Sequence, residues 1–329
     1  VQPGVILNSL NKAASGYQLQ FGPDPASGER ASLGGSIANN ATGAHSIVYG
    51  MAADHLLCAD VLLGDGEQAT LQEVSLADAA RRATHQNGAE SHLYRACLEV
   101  RERYAQAIRQ RWPRTWRRAA GYSLNYLLPW SPTAPPEWDA GLPYPLLAPG
   151  SLNLSTLLAG SEGTLGVIRQ ATLRLVPLPR FSVLGVLAFA SLVQACDAAP
   201  AILEHKPSAI ELIPQSIIRL ARSVPAYAPQ LSFVDRLSPE GDPPALLVVE
   251  FSGDDPRPLM AQALALHGFG ESHPVLLAET PAEQKRVWGI RKMGLGILAS
   301  RPGDTKSVSV IEDIAVPVER LGEFVRGME

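Results

Sequence analysis

Between residues 21 and 50 the chain reads FGPDPASGERASLGGSIANNATGAHSIVYG, thirty positions crowded with Gly, Ala, Ser and Asn and almost without apolar periodicity. A compact domain seldom carries a structureless loop of that length. The composition instead suits backbone wrapped around a bound ligand, with Gly34 and Gly35 permitting close approach and Asn39, Asn40 and Thr42 offering hydrogen bonds. A fold for this chain has to place that segment against something other than its own side chains.

A second glycine-rich stretch, GSEGTLGVI at 160–168, sits between two apolar segments, LNLSTLLA and RQATLRLVP. A tight turn needing positive φ explains one or two such glycines. Three, with Ser161, Glu162 and Thr164 among them, point further, to backbone lying against a flat or phosphorylated ligand.

With 329 residues, 46% hydrophobic and 18% charged, the chain is large enough for two domains with substantial cores. A net charge of −4 argues against a general nucleic-acid binder, although RQRWPRTWRR interleaves arginines with Trp112 and Trp116; a solvated or anion-facing surface is the reading we keep for it. Cys58, Cys97 and Cys196 are far apart and odd in number, which leaves no disulfide framework and no Cys-x-x-Cys site and suits a reducing compartment. The most apolar run, FSVLGVLAFASLV, is too short to span a bilayer, so no transmembrane helix is expected. The chain opens on VQPGVIL and stops at EFVRGME inside a helical pattern, so further sequence is expected on both sides.

The element pattern predicts a short helix stopped at Gly16, a hairpin turning at Gly64-Asp65-Gly66, and a helical and proline-rich insertion at about 81–150. LVPLPR marks a domain boundary near Arg180. Beyond it, two successive strand-helix-strand units predict an antiparallel sheet with helices on one face, as in ferredoxin-like folds, followed by a helix and a strand SVSVIED. The G-x-G-x-x-A match at Gly294 lies within a helix pattern rather than after a strand, no P-loop occurs, and Ala159 breaks the nucleophile elbow at Ser161.

Taken together, PDPAS at 23–27, LGGSIANNATGAHSIVYG at 33–50 and GSEGTLGVI with TLRLVPLP resemble the FAD-linked oxidases of the vanillyl-alcohol oxidase type, and within them the D-lactate dehydrogenase, glycolate oxidase and D-2-hydroxyglutarate dehydrogenase group. The resemblance implies an α+β architecture: a partial PCMH-type FAD-binding domain at 1–180 carrying the insertion, then a partial ferredoxin-like cap or substrate domain at 181–329. It implies FAD contacts from Pro23, Ser27, Gly34, Gly35, Asn39, Asn40 and Gly43 on one side. Gly160, Glu162, Gly163, Thr164, Gly166 and Ile168 would hold the flavin from the other, glycine being needed because a Cβ would keep backbone amides off the cofactor. Arg291 and Lys306 resemble substrate-carboxylate anchors, the alternative being solvated surface cations, and Glu312 and Asp313 either orient them or face a catalytic segment expected beyond Glu329.

The implied reaction passes a hydride from C2 of a D-2-hydroxy acid (D-lactate, D-2-hydroxyglutarate or glycolate) to flavin N5. The rival readings are an alcohol or sugar oxidase of the same fold and a non-catalytic flavin-binding module. The implied partners are the small acid and an electron acceptor, a quinone, cytochrome or electron-transfer protein. Nucleic acid is not expected. PRTWRRAAGYSLNYLL and KSVSVIEDIAVPVERL resemble long members in which an iron-sulfur region follows, and the location implied is cytoplasmic, peripheral to the inner face of the membrane. No metal ligand is assigned: His45, His85, His92, His205 and His267 read as surface or capping residues.

Overall fold

The computed structural model describes residues 1–85, 88–118, 121–270, 275–299 and 314–328, with the side chains of 85 and 292–299 left out. The chain divides into two compact units, Val1–Leu178 and Pro179–Glu329. The first contains helices α1 (Leu7–Ser15) and α2 (Leu33–Ala38), the strands β1 (Leu56–Leu62) and β2 (Gln68–Ser75), helices α3 (Leu76–His85) and α4 (Ala89–Arg111), and the strands β3 (Ser151–Asn153) and β4 (Val167–Leu173).

The four strands form an antiparallel sheet in the order β3-β2-β1-β4. Its β1-β2 hairpin closes where predicted, with Gly66 at φ 89° and its amide donating to Leu63 O. On β2, Ala69, Leu71 and Val74 are buried while Gln68, Thr70, Gln72 and Glu73 are exposed, so one face meets the core and the other meets water. That core is completed by Ala79 and Ala83 of α3 and Tyr94 and Cys97 of α4.

The stretch expected to wrap a ligand as loop is partly helical. Its helices are α2 and the single turn Ser46–Tyr49, with a further turn, Ala52–His55, just after it, and Phe21 and Leu33 join Leu7 and Ala52 in a small core of their own. Helices of four to six small residues carry too few apolar side chains to leave a periodic trace, which is why the sequence reads as loop.

The second unit holds β5 (Phe181–Phe189), α5 (Leu192–Leu203), β6 (Ala209–Pro214), α6 (Gln215–Arg222), α7 (Ser232–Leu237), β7 (Ala245–Gly253), α8 (Pro256–Leu264), β8 (Leu276–Ala278), α9 (Pro281–Ala299) and α10 (Leu321–Met328). Its sheet runs β8-β5-β7-β6, every pair antiparallel, so β5-α5-β6 and β7-α8-β8 are the split strand-helix-strand units of a ferredoxin-like sheet. The expectation of helices on one face is corrected. Val183, Leu187, Leu247 and Val249 face Ala195 and Ile202 of α5 and Leu259 and Ala263 of α8. Leu184, Val186, Leu246 and Val248 face Ile218 of α6, Phe233 of α7 and Val287 and Ile290 of α9. A strand apolar at every position needs a cover on both sides, and the segment joining β6 to β7 supplies the second one together with α9. The predicted strand SVSVIED lies outside the described residues.

Candidate flavin cleft and its surroundings

In the first unit, Ser32 has extended backbone, bridges to Ile6 and accepts from Gly35 N through its hydroxyl, starting α2. The chain's first residues lie along this helix start: Leu33 N donates to Val5 O and Gly34 N to Pro3 O, both at 2.8 Å. Opposite stands the 160–166 loop, where Gly160, Glu162 and Gly163 have φ of 84°, 49° and 79°. Three left-handed residues within four positions make a turn that only glycine adopts without cost, so the turn requirement explains two of its glycines. Glu162 N donates to Ala38 O at 3.1 Å and ties this turn to the end of α2.

Between the two segments lies a cleft of about 610 Å³, within the range of small-molecule sites. Of the residues expected to touch flavin, Gly34, Gly35, Asn39, Glu162, Gly163, Gly166 and Ile168 line it. Pro3, Gly4, Ser32, Ala38, Leu158, Ser161 and Val167 line it as well and were missed. They mix small residues with ordinary apolar ones, so no shared signal singles them out in the sequence.

The remaining expected contacts stand elsewhere. Pro23 is buried and Ser27 exposed, both off the cleft wall, in a segment pinned by Asp24, whose Oδ2 lies 2.7 Å from His45 Nδ1. Asn40 is buried, its Oδ1 accepting from Ala53 N at 3.0 Å, so it clamps the chain rather than facing the cleft. Thr164 Oγ1 bonds Ser161 O and meets the Tyr122 hydroxyl at 2.8 Å.

The reason for glycine differs from the one expected. A Cβ at Gly43 would collide with the Asp24 backbone, one at Gly160 would lie 2.6 Å from Gly121 O, one at Gly34 2.6 Å from Pro3 Cβ and one at Gly166 2.8 Å from Leu62 O. Each of these glycines lets two parts of the protein touch. Only Gly35, with Ser32 Oγ alone near at 3.2 Å, and Gly163, with open space, lack backbone crowding. The amides of Gly34 and Gly35 are already taken, and the described lining includes Glu162 but no Lys, Arg or His. Such a wall fits an uncharged planar ring better than a pyrophosphate.

Beside Asn40 and Gly160 the same unit carries a buried polar cluster. Asp54, on the Ala52–His55 turn, accepts from Met51 N through Oδ2 at 2.8 Å and from the Tyr126 hydroxyl through Oδ1 at 2.6 Å. Burial pushes the Asp54 carboxyl up to about 6, against the pull of those bonds and of Arg118. Burial likewise raises the Tyr126 and Tyr144 phenols far above their ordinary range, so both stay neutral. His55 is held neutral by burial between Tyr49 O and Arg174 O.

In the second unit Arg291 of α9 does not stand free: its Nη2 is 2.9 Å from Glu211 Oε1 on β6, and its guanidinium lies 6.0 Å over the Trp288 ring. Trp288 Nε1 donates in turn to Glu250 Oε2 at 3.1 Å. Lys306, Glu312 and Asp313 lie outside the described residues. Among the described residues no group of three His, Cys, Asp or Glu side chains could hold a metal, and no helix is long and apolar enough to cross a membrane.

Residues 1–72 match the FAD binding domain family, and residues 178–329 match the C-terminal domain of FAD linked oxidases. A D-2-hydroxyglutarate dehydrogenase of Pseudomonas putida is 30% identical over 99% of this chain and 31% of its own length. The mitochondrial D-lactate dehydrogenase [cytochrome] of Arabidopsis thaliana is 26% identical over 99% of this chain and 43% of its own. The chain thus spans about a third of the first of these relatives and under half of the second. Among solved structures, an alkyldihydroxyacetonephosphate synthase superposes with a TM-score of 0.54 at 16% identity, covering 90% of this chain and 42% of that one, which is a likeness of fold.

Proposed function

The chain belongs to the FAD-linked oxidases, with both their FAD binding domain and their C-terminal domain, and from that premise we propose that the protein oxidises a D-2-hydroxy acid to its 2-oxo acid. Bound FAD supplies the hydride acceptor. The observation that carries the reading is the cleft between α2 and the 160–166 turn, walled by glycines, small side chains and the apolar Leu158, Val167 and Ile168, with no Lys, Arg or His in its described lining. On this reading Gly35, Asn39, Gly163 and Ile168 hold the flavin ring, while Gly34 and Gly166 keep the walls close enough to do so. Residues 1–180, with their insertion at 81–150, serve the cofactor, and 181–329 serve the substrate.

Arg291 binds the substrate carboxylate, with Glu211 fixing one nitrogen of its fork and leaving the others to the acid. Lys306 and Glu312 join it as anchor and orienting group. The choice of acid is supported by relatives named for D-2-hydroxyglutarate and D-lactate. Electrons leave to a separate acceptor, a quinone, cytochrome or electron-transfer protein, at the inner membrane face.

Anaerobic mixing of the full-length protein with D-2-hydroxyglutarate and D-lactate tests the reading. The visible flavin band bleaches with one or both D-acids and not with L-isomers or neutral alcohols. A band that no D-2-hydroxy acid bleaches would overturn it.

A further inference from the structure

The seam where α9 packs on the sheet of the second unit is apolar except at one edge. Leu246 and Val248 of β7 and Val287 and Ile290 of α9 are buried there, yet the next residue of β7 on that face is Glu250, a carboxylate only 7% exposed. Glu211 of β6 stands opposite Val248 and so shares the face, one diagonal step from Glu250. A buried carboxylate destabilises a fold unless hydrogen bonds hold it, and an apolar side chain would have closed the seam without that cost.

Glu250 is held. Trp288 Nε1 donates to its Oε2 at 3.1 Å, and the Ser208 hydroxyl donates to its backbone oxygen at 3.0 Å with Oε1 3.4 Å away. Trp288 lies one helical turn before Arg291 on the same side of α9, and the Arg291 guanidinium carbon stands 6.0 Å over its ring. Glu211 completes the group, its Oε1 2.9 Å from Arg291 Nη2. The guanidinium is thus met at one nitrogen by a carboxylate and on one face by an indole, and a second carboxylate tethers that indole.

An arginine side chain left to rotate must be ordered when it binds, which weakens the binding. We infer that Trp288 and Glu250 are positioning residues for Arg291: Glu250 sets the plane of the indole, and the indole sets the plane of the guanidinium, so that the rest of the fork meets the acid in one orientation. The inference rests on the proposed role of Arg291 as carboxylate anchor and extends it to two residues that touch neither the acid nor the flavin.

Steady-state kinetics of the full-length, FAD-loaded protein with D-2-hydroxyglutarate and D-lactate test it, with FAD content and far-UV circular dichroism recorded for every variant. Trp288→Leu, which removes the ring, raises KM for the acid by about threefold to tenfold and leaves kcat and FAD content unchanged. Trp288→Phe, which keeps a ring and loses the tether, raises it less. Glu250→Gln, which keeps an acceptor oxygen for the indole, stays near the wild type, and Glu250→Ala behaves like Trp288→Phe. The decisive comparison is a double-mutant cycle. In an Arg291→Ala background Trp288→Leu adds nothing to KM, because no guanidinium is left to orient, whereas a merely structural role would act equally in both backgrounds. Equal effects of Trp288→Leu with and without Arg291 overturn the inference, as do folded Trp288→Leu and Glu250→Ala variants with unmoved KM. Arg291→Ala with unmoved KM removes the anchor and the inference with it; a KM that follows Arg291 alone leaves the proposed reaction standing and overturns only the positioning role.

Discussion

Asp54→Asn removes one ionisable group from the interior of the first unit, and its consequence can be worked from the site. The carboxyl is 4% exposed, and burial raises it from 3.8 to about 6. The native state therefore keeps a proton that the unfolded chain has already lost between those values, and stability falls as pH rises through that window. Below the unfolded value the penalty is absent; above about 6 it is complete. A gap of about two units at about 1.4 kcal/mol each comes to about 3 kcal/mol. Asparagine does not titrate, and the cost of pointing its amide at Met51 N–H or the Tyr126 hydroxyl is the same at every pH. The stability of the variant relative to the wild type should thus improve by about 2–3 kcal/mol between about pH 4 and about pH 7.5, whatever its sign at either end. Urea unfolding followed by tryptophan fluorescence across that range measures the difference. Two stability curves that run parallel would show that Asp54 is not ionised against its surroundings, and the reasoning from its burial would fail.

Two further substitutions probe other parts. Gly34→Ala puts a methyl 2.6 Å from Pro3 Cβ and should cost about 1–3 kcal/mol, whereas Gly35→Ala meets only Ser32 Oγ and should cost little; equal thermal shifts would contradict the crowding argument. Arg291→Ala should raise KM for the acid by about tenfold or more with FAD content unchanged, and Glu211→Gln should raise it less, because it loosens the fork without removing it; steady-state kinetics that leave KM unmoved in both would remove Arg291 from the substrate site.

Features set by neighbouring residues were legible in the sequence. Gly64-Asp65-Gly66 announces its hairpin, and FSVLGVLAF and ALLVVEF announce β5 and β7. Their unbroken apolar character calls for cover on both faces, against the one-sided sheet expected, and Ile217, Ile218 and Ala221 of α6 supply part of the second cover. The two glycine-rich segments stand out in the sequence, and residues of both line the cleft. What faces each glycine was not legible, since Pro3, Asp24, Leu62 and Gly121 arrive from distant parts of the chain. Asp54 and Tyr126 are 72 positions apart and Arg291 and Glu211 are 80 apart, so neither pairing leaves a local pattern.

The strand order of the second unit also governs how it assembles. β5 is made first, yet both its neighbours come later: Phe181 pairs with Gly253 and Val186 with Leu276. Until those segments leave the ribosome, nine mostly apolar residues have no strand to pair with, and only α5 is at hand to shield them. Loop closure over such distances is slow, and the exposed strand is a site for pairing with another chain in the meantime. Yield of folded protein should therefore depend on how quickly β7 follows β5, with rapid synthesis or crowding of nascent chains favouring aggregates seeded by this one strand.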